Sequence, residues 1–413
     1  MRCRCRRANV RGVIADIPLP AVEAMRLGHA ATYVLGEGRG FRDARLFIEQ
    51  LAASLQRDGV AVDRLNIVLA AMHPQVAAIS ATWKSSEDVV VVPRAWVGLG
   101  SLEFKRSPMA LFHARTHLVI RRLLCSAACA VDFDIVADLR EQGYTDYLAL
   151  QLGGQLTTRV NAVTVATKQA GGFSDDALHT LLSLQRILAI VVESHVDARV
   201  ATTLLQTYLG EDAGARVLAG QVQRGQGEAI PAVISFCDLR NFTGLSDRLP
   251  REAVLSMLDD SFDAIVTGVA EHGGEVLKFI GDAVLTVFRA RPGEEAAACA
   301  QALRASRAVL ARIAEKNAGR GDHDDRPLLD VGMSLHVGDV HYGNIGSPSR
   351  LDFTVIGPAV NLASRLQGLC RPLQRRVVVS AEVARHLPDA VEDLGLHTLK
   401  GLLEPVHVYG VDC

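Results

Sequence analysis

Lys278-Phe279-Ile280-Gly281-Asp282-Ala283-Val284-Leu285-Thr286-Val287-Phe288 is the stretch whose reading decides the fold. Val276, Phe279 and Ile280 belong to one apolar run, and Ala283 to Phe288 make another. Gly281-Asp282 between them is a two-residue turn, so the pattern predicts a β-hairpin. A carboxylate at such a turn is costly to bury unpaired, which leaves Asp282 exposed and available to a cation. Upstream, Ala232 to Cys237 is a second apolar run, and it ends in Asp238. Two carboxylates, each at the end of a buried strand, are what a two-metal phosphoryl-transfer site needs.

Around the hairpin the elements are sharp. Pro250 opens a helix that carries Val254, Leu258, Phe262, Ile265 and Val269 on one side and is closed by Gly273-Gly274. A second helix runs from about Gly293 to Lys316, with Leu303, Leu310 and Ile313 inward. Leu328 to Leu335 and Val340 to Ile345 read as two strands, and Pro358 to Leu369 as a helix. Short units lead to a last strand at Val406 to Val411. The β-α-β-β-α-β order is the ferredoxin-like, palm-type plan, so residues 229–413 are expected to form an α+β domain.

The N-terminal half is less sharply patterned. Residues 1–40 carry few periodic signals and are expected to be a poorly ordered arm, with one short helix near Ala21 to Leu27. Met25 is a candidate initiator. Arg42 to Asp58 is an amphipathic helix stopped by Gly59. Leu65 to Ala71 and Ala77 to Trp83 make a strand pair turned at His73-Pro74-Gln75, and Val89 to Val92 is a β-branched run stopped by Pro93. Ala110 to Leu124 has helical spacing, Cys129 to Phe133 is expected to begin a strand, and Asp134 to Gln142 reads as a helix. Tyr147 to Leu152 and Val160 to Thr167 are strands. Ser174 is a good N-cap for a long helix from Asp175, whose apolar positions recur through Leu204-Leu205. An apolar face that wide covers its own domain or pairs with a twin, and the pattern leaves both readings open. Tyr208-Leu209-Gly210 and Gly214 to Gly220 read as a hinge, and Gln221 to Glu228 as a boundary.

The chain has 413 residues, enough for two domains, of which 49% are hydrophobic and 22% charged, as in ordinary soluble globular proteins. A net charge of -2 excludes a globally basic nucleic-acid binder. The longest apolar runs, Leu123 to Val131 and Ile187 to Val192, are short for a membrane span, and the basic start lacks the apolar core of a signal peptide. The expectation is a cytoplasmic protein without membrane or nucleic-acid partners. Its eight cysteines are scattered and form no C-x-x-C unit, so they read as reduced thiols.

Four segments of the C-terminal half resemble those of class III nucleotide cyclases. Phe236-Cys237-Asp238-Leu239-Arg240-Asn241-Phe242-Thr243 resembles the first metal-binding segment, and Gly274 to Asp282 the second. Thr354-Val355-Ile356-Gly357-Pro358-Ala359-Val360-Asn361-Leu362-Ala363-Ser364-Arg365-Leu366 resembles the transition-state segment, and Leu399-Lys400-Gly401 with Pro405-Val406 the closing phosphate-binding strand. One such segment is a weak signal; four in order are a strong one. The order of a helix, strands and a closing helix over about residues 40–195 resembles a GAF-type sensor domain, an α/β unit. The expected organisation is therefore an arm (1–40), a GAF-like regulatory domain (41–195), a helical dimerisation and linker segment (175–228) and a cyclase catalytic domain (229–413).

The resemblance implies roles that the chemistry supports. Asp238 and Asp282 would hold two divalent cations, Mg²⁺ or Mn²⁺, which prefer oxygen ligands. One activates the ribose 3′-hydroxyl and the other clamps the β- and γ-phosphates. Leu239, Phe242 and Thr243 lie on the turn whose backbone N–H groups cradle phosphate. Arg365 would stabilise the transition-state charge, Asn361 would fix the ribose, and Lys400 would hold the triphosphate. Lys278 and Thr354 would read the base. A lysine donates to a purine ring nitrogen, and a threonine hydroxyl accepts from the adenine amino group. The threonine marks a subgroup associated with bicarbonate responsiveness. The resemblance thus implies ATP as substrate and cyclic AMP as product, at a head-to-tail homodimer interface under control of a small-molecule effector. The alternatives are a guanylate cyclase and a non-catalytic ligand-binding dimerisation module.

Other chemistry-bearing residues take plainer readings. Asp322-His323-Asp324-Asp325 reads as a solvated loop, and His336 as structural. His113 and His117 have a zinc-compatible i, i+4 spacing but no H-E-x-x-H pattern, and read as a helix face.

Overall fold

The computed structural model describes residues 28–153, 159–320 and 326–411. The chain divides into two compact units that meet in sequence at Leu204 and Leu205. The expected arm falls partly, and Asp322 to Asp325 wholly, outside the described residues.

The first unit is one antiparallel sheet between helices. Its elements are α1 (His29–Leu35), α2 (Ala44–Arg57), β1 (Arg64–Ala70), β2 (Val76–Lys84), β3 (Glu87–Ala95), α3 (Leu102–Lys105), α4 (Pro108–His113), β4 (Val119–Arg122), α5 (Asp134–Glu141), β5 (Asp146–Leu152), β6 (Asn161–Thr167) and α6 (Asp175–Leu209). The strand order is β3-β2-β1-β6-β5-β4. The strands β5 and β6 are buried along their whole length, whereas β3 lies at an edge, where a proline is tolerated, and runs through Pro93 to Ala95 rather than stopping there. Leu65, Ile67 and Leu69 alternate toward one face and join α1, α2 and α6 in the main core. The opposite face packs a smaller cluster of Phe112, Phe133, Val136 and Tyr147.

Several expectations are corrected here. Residues 29–40 are a helix and a 3₁₀ turn, with Ala30, Ala31 and Val34 buried in the core, rather than a loose arm. The helical spacing over Ala110 to Leu124 is broken. α4 stops at His113, Arg115 turns through φ 55°, and the β-branched Val119-Ile120 pairs with β5 instead. Cross-strand pairing overrode a helical period. Cys129 to Phe133 forms no strand. Ser174 does cap α6, accepting from the Ala177 N–H at 3.2 Å. From Ala177 to Val200 the apolar face of α6 is buried in its own unit's core, so own-domain packing accounts for that stretch. By length and composition alone α6 is apolar enough to cross a membrane, although polar residues interrupt its apolar runs. About 61% of that apolar window is buried within the protein.

The second unit contains α7 (Glu211–Leu218), β7 (Gly227–Leu239), α8 (Phe242–Ser246), α9 (Arg251–Ala270), β8 (Glu275–Ile280), β9 (Ala283–Arg289), α10 (Glu295–Ala318), β10 (Val331–Ser347), β11 (Arg350–Ile356), α11 (Pro358–Gln367), β12 (Val377–Ser380), α12 (Ala381–Ala384), β13 (Glu392–His397) and β14 (Val406–Val411). The sheet runs β13-β14-β12-β10-β7-β9-β8, and β11 pairs with β10. Its β10-β7-β9-β8 segment is the 4-1-3-2 order of a β-α-β-β-α-β unit. α9 and α10 cover one face and α11 the other.

Two expectations change. Gly214 to Gly220 is not a hinge: α7 occupies most of it, and a Cβ at Gly214 would come within 2.9 Å of the backbone at Leu205 and Gln206. The glycine serves close helix packing. The two strands expected at Leu328–Leu335 and Val340–Ile345 are one 17-residue strand, β10. The expected gap between them is paired throughout, with Gly338 and Asp339 in register opposite Ala232 and Pro231 of β7. A Cβ on Gly338 would lie 3.0 Å from Ala359 Cβ, so this glycine admits α11 close to the sheet.

Candidate active site

Strand alternation sets the stage. In β7, Val233 and Cys237 face α9 and α10, while Ala232 and Ile234 face α11. Asp238 therefore belongs to the α11 face. Its register partner is Ala283, the residue after the hairpin turn, so the pairing of β7 with β9 carries Asp238 to Asp282. Residues 281–282 are that turn, with Gly281 at φ 65°, a value that favours glycine.

The two carboxylates meet. Burial, then the close approach and charge of Asp282, push the Asp238 carboxyl up to about 7; the Leu239 N–H and the Gln367 side chain offset part of the rise. Asp238 Oδ1 is buried without a hydrogen-bond partner. A buried, unpartnered carboxylate oxygen facing a second carboxylate is an unstable arrangement that a hard divalent cation would relieve, and the donors are all oxygens. The pair fits such an ion. Among the described residues no group of three or more His, Cys, Asp or Glu side chains gathers as a cation site, so further ligands would come from substrate and water.

The remaining predicted residues fall into three places. Leu239 ends β7 and is buried; Asn241 takes a left-handed conformation (φ 61°), and Phe242 and the exposed Thr243 start α8. Asn361 and Arg365 lie one turn apart on α11. Arg365 reaches toward Gly401, where a Cβ would sit 3.4 Å from a guanidinium nitrogen. Lys400 is exposed in the loop before β14. Lys278 on β8 and Thr354 on β11 form the third place. Lys278 Nζ pairs with Asp352, which shares a face of β11 with Thr354. Phe279 and Ile280, read as strand interior, are about half exposed because β8 is an edge strand.

Sequence reading missed three participants. Gln367 contacts Asp238 from the end of α11, and Asp352 holds Lys278. Arg240 donates to the carbonyls of Cys370 and Arg375 at 3.2 and 2.5 Å, tying the turn after β7 to the loop after α11. Asp352, two residues before Thr354, was the one signal available.

Residues 227–409 match the family model described as the adenylate and guanylate cyclase catalytic domain. The second unit is thus similar to a class III cyclase catalytic domain, over less than half of the chain. It is 30% identical over 184 residues to an adenylate cyclase of Anabaena cylindrica, an alignment covering 43% of this chain and 36% of that protein. It is 32% identical over 197 residues to adenylate cyclase 2 of Rhizobium meliloti, covering 47% and 52% respectively. The chain thus spans about half or less of these relatives' length. Among solved structures, that of a bacterial light-regulated adenylyl cyclase is 26% identical, covers 55% of this chain and 64% of that one, and superposes with a TM-score of 0.47.

His113 and His117 are not on one helix, because α4 ends at His113. His336 is buried and bonded to Ser380 Oγ at 2.8 Å, a structural setting.

Proposed function

We propose that this protein is an adenylate cyclase that converts ATP to 3′,5′-cyclic AMP and pyrophosphate. The observation that carries the reading is the meeting of Asp238 and Asp282 around an unpartnered carboxylate oxygen, within a cyclase-like domain. The two aspartates would hold divalent cations, Mg²⁺ or Mn²⁺, which when bound supply acidity at the ribose 3′-hydroxyl and charge against the leaving pyrophosphate. Backbone N–H groups around Leu239, Phe242 and Thr243 bind phosphate oxygens. Arg365 neutralises charge developing on the α-phosphoryl group, Asn361 orients the ribose and Lys400 holds the triphosphate. Lys278 donates to a purine ring nitrogen and Thr354 accepts from the adenine amino group.

The active enzyme is a head-to-tail homodimer in which one protomer's aspartates face its partner's base-reading and charge-neutralising set. Half-exposed Phe279, Ile280 and Ile356 support this association. The N-terminal unit is a GAF-like sensor acting in the cytoplasm, supported by its helix–sheet–helix order. Purified protein incubated with ATP or GTP, with Mg²⁺ or Mn²⁺, tests the reading. Cyclic AMP in clear excess is expected; dominant cyclic GMP, or no cyclic product with either nucleotide, overturns it. A bicarbonate titration at fixed pH tests the subgroup trait that Thr354 marks, and a flat response removes it.

A further inference from the structure

Beside its apolar cluster, the face of the N-terminal sheet opposite the main core carries a polar stretch. Arg64 and Asn66 project from β1 on this face, Thr164 from β6 and Tyr147 from β5, and they line a cavity of about 760 Å³. Its other wall comes from the segment after β3, with Trp96 and Phe104, and from α4 and α5, with Met109 and Ile135. The volume is that of a site for a small organic molecule.

The polar floor offers donors in excess. Asn66 Oδ1 accepts from Ser80 Oγ at 2.8 Å and from Thr82 Oγ1 at 2.9 Å. Among the described residues its amide nitrogen donates to nothing, so both of its N–H groups are free for a ligand. Arg64 donates to Thr164 Oγ1 at 3.4 Å and, among the described residues, forms no ion pair. Burial lowers its pKa from the ordinary value, the cost of holding a guanidinium beneath a cavity wall. A partly buried cation without a counter-charge is expensive, and Arg64 lines the cavity, where an anion could reach it. Of the other arginines in the lining, Arg106 pairs with Asp134, Arg159 pairs with Asp197 and Arg94 is exposed, so Arg64 is the partly buried guanidinium that a monoanion would suit.

We infer that this cavity binds a small organic acid whose carboxylate meets Arg64 and Asn66 and whose apolar body packs against Trp96, Phe104 and Ile135. Arg64 then gains a two-bond, charge-assisted partner. The inference deepens the sensor reading by naming the effector's chemistry, but the site stands or falls on binding alone.

Isothermal titration calorimetry on the full-length protein tests it with 2-naphthoate and decanoate, each against its neutral primary amide. At least one acid is expected to bind once per chain and at least tenfold more tightly than its amide. Arg64→Gln should bring that ratio within twofold, while Arg64→Lys keeps a preference for the acid. Should Arg64→Gln fail to fold, Ala78→Leu, which grows a side chain into the cavity from a half-buried position, should abolish binding of both compounds. Binding of neither acid, equal binding of acid and amide, or an unchanged preference in Arg64→Gln overturns the inference. Cyclic-nucleotide turnover is measured in parallel. Binding with unaltered turnover upholds the site and removes the sensor role.

Discussion

At the scale of single residues, Asp238 concentrates the chemistry. Its carboxyl titrates near 7 in the folded protein and near 3.8 in an unfolded chain. Between those values the folded state holds a proton that the unfolded state has released, so this group's contribution is complete below about pH 4 and is lost as pH rises through 7. Metal-free protein should therefore melt a few degrees lower at pH 8 than at pH 5.5 on this account. Asp238→Asn should flatten that part of the profile, and Mn²⁺ at pH 8 should restore stability to the wild type alone. Calorimetric melts across the pH range check all three. Asp282→Ala should abolish turnover and leave the circular dichroism spectrum intact. Arg365→Ala should lower kcat by roughly 10²–10³-fold, the usual cost of losing one transition-state charge clamp. Asp352→Asn frees Lys278 from its partner. We expect a lower kcat/KM for ATP and a narrower preference for ATP over GTP, read by side-by-side turnover.

At the scale of elements, a charged cluster ties α7 to the sheet. Arg289 at the end of β9 bonds Asp212 of α7, Glu275 of β8 at 2.9 Å and the buried Tyr342 hydroxyl of β10 at 2.9 Å. The Arg289 pKa is raised despite its burial, because both carboxylates hold its proton. Arg289→Met leaves Asp212 and Glu275 facing each other. It should cost about 2–3 kcal/mol, less than a fully buried pair because the cluster is partly solvated, as urea denaturation will show. Nothing in the sequence around Arg289 announces this cluster, since its members are far apart in the chain. The hairpin, by contrast, was legible, because Gly281-Asp282 between two apolar runs has few other readings. Local logic failed between Leu335 and Val340, where β7 supplied a partner along the whole strand and Gly338 admits α11 close to the sheet. It failed again over Ala110 to Leu124, where β5 was the partner no window contains. The carboxylate pair was legible because both aspartates end apolar runs. Gln367 and Arg240 were not, because only the packing of α11 and its following loop brings them to that place.

At the scale of the whole molecule, the chain separates into a unit with a cavity and a unit with a carboxylate pair. We expect residues 205–413 alone to cyclise ATP, at a basal rate different from that of the full chain. Equal rates would remove the regulatory role proposed for residues 28–204. The second unit is laid out along β10, which matches β7 residue for residue from Val331 to Gly343 and then turns back into β11. Such a strand tolerates no change of length. Losing or gaining one residue inside it would invert the facing of every position beyond, sending Tyr342 to the wrong side and dragging Thr354 out of step with Lys278. Homologous chains should therefore differ in length at the β10–β11 turn, around Ser347 to Ser349, and almost never within the strand itself.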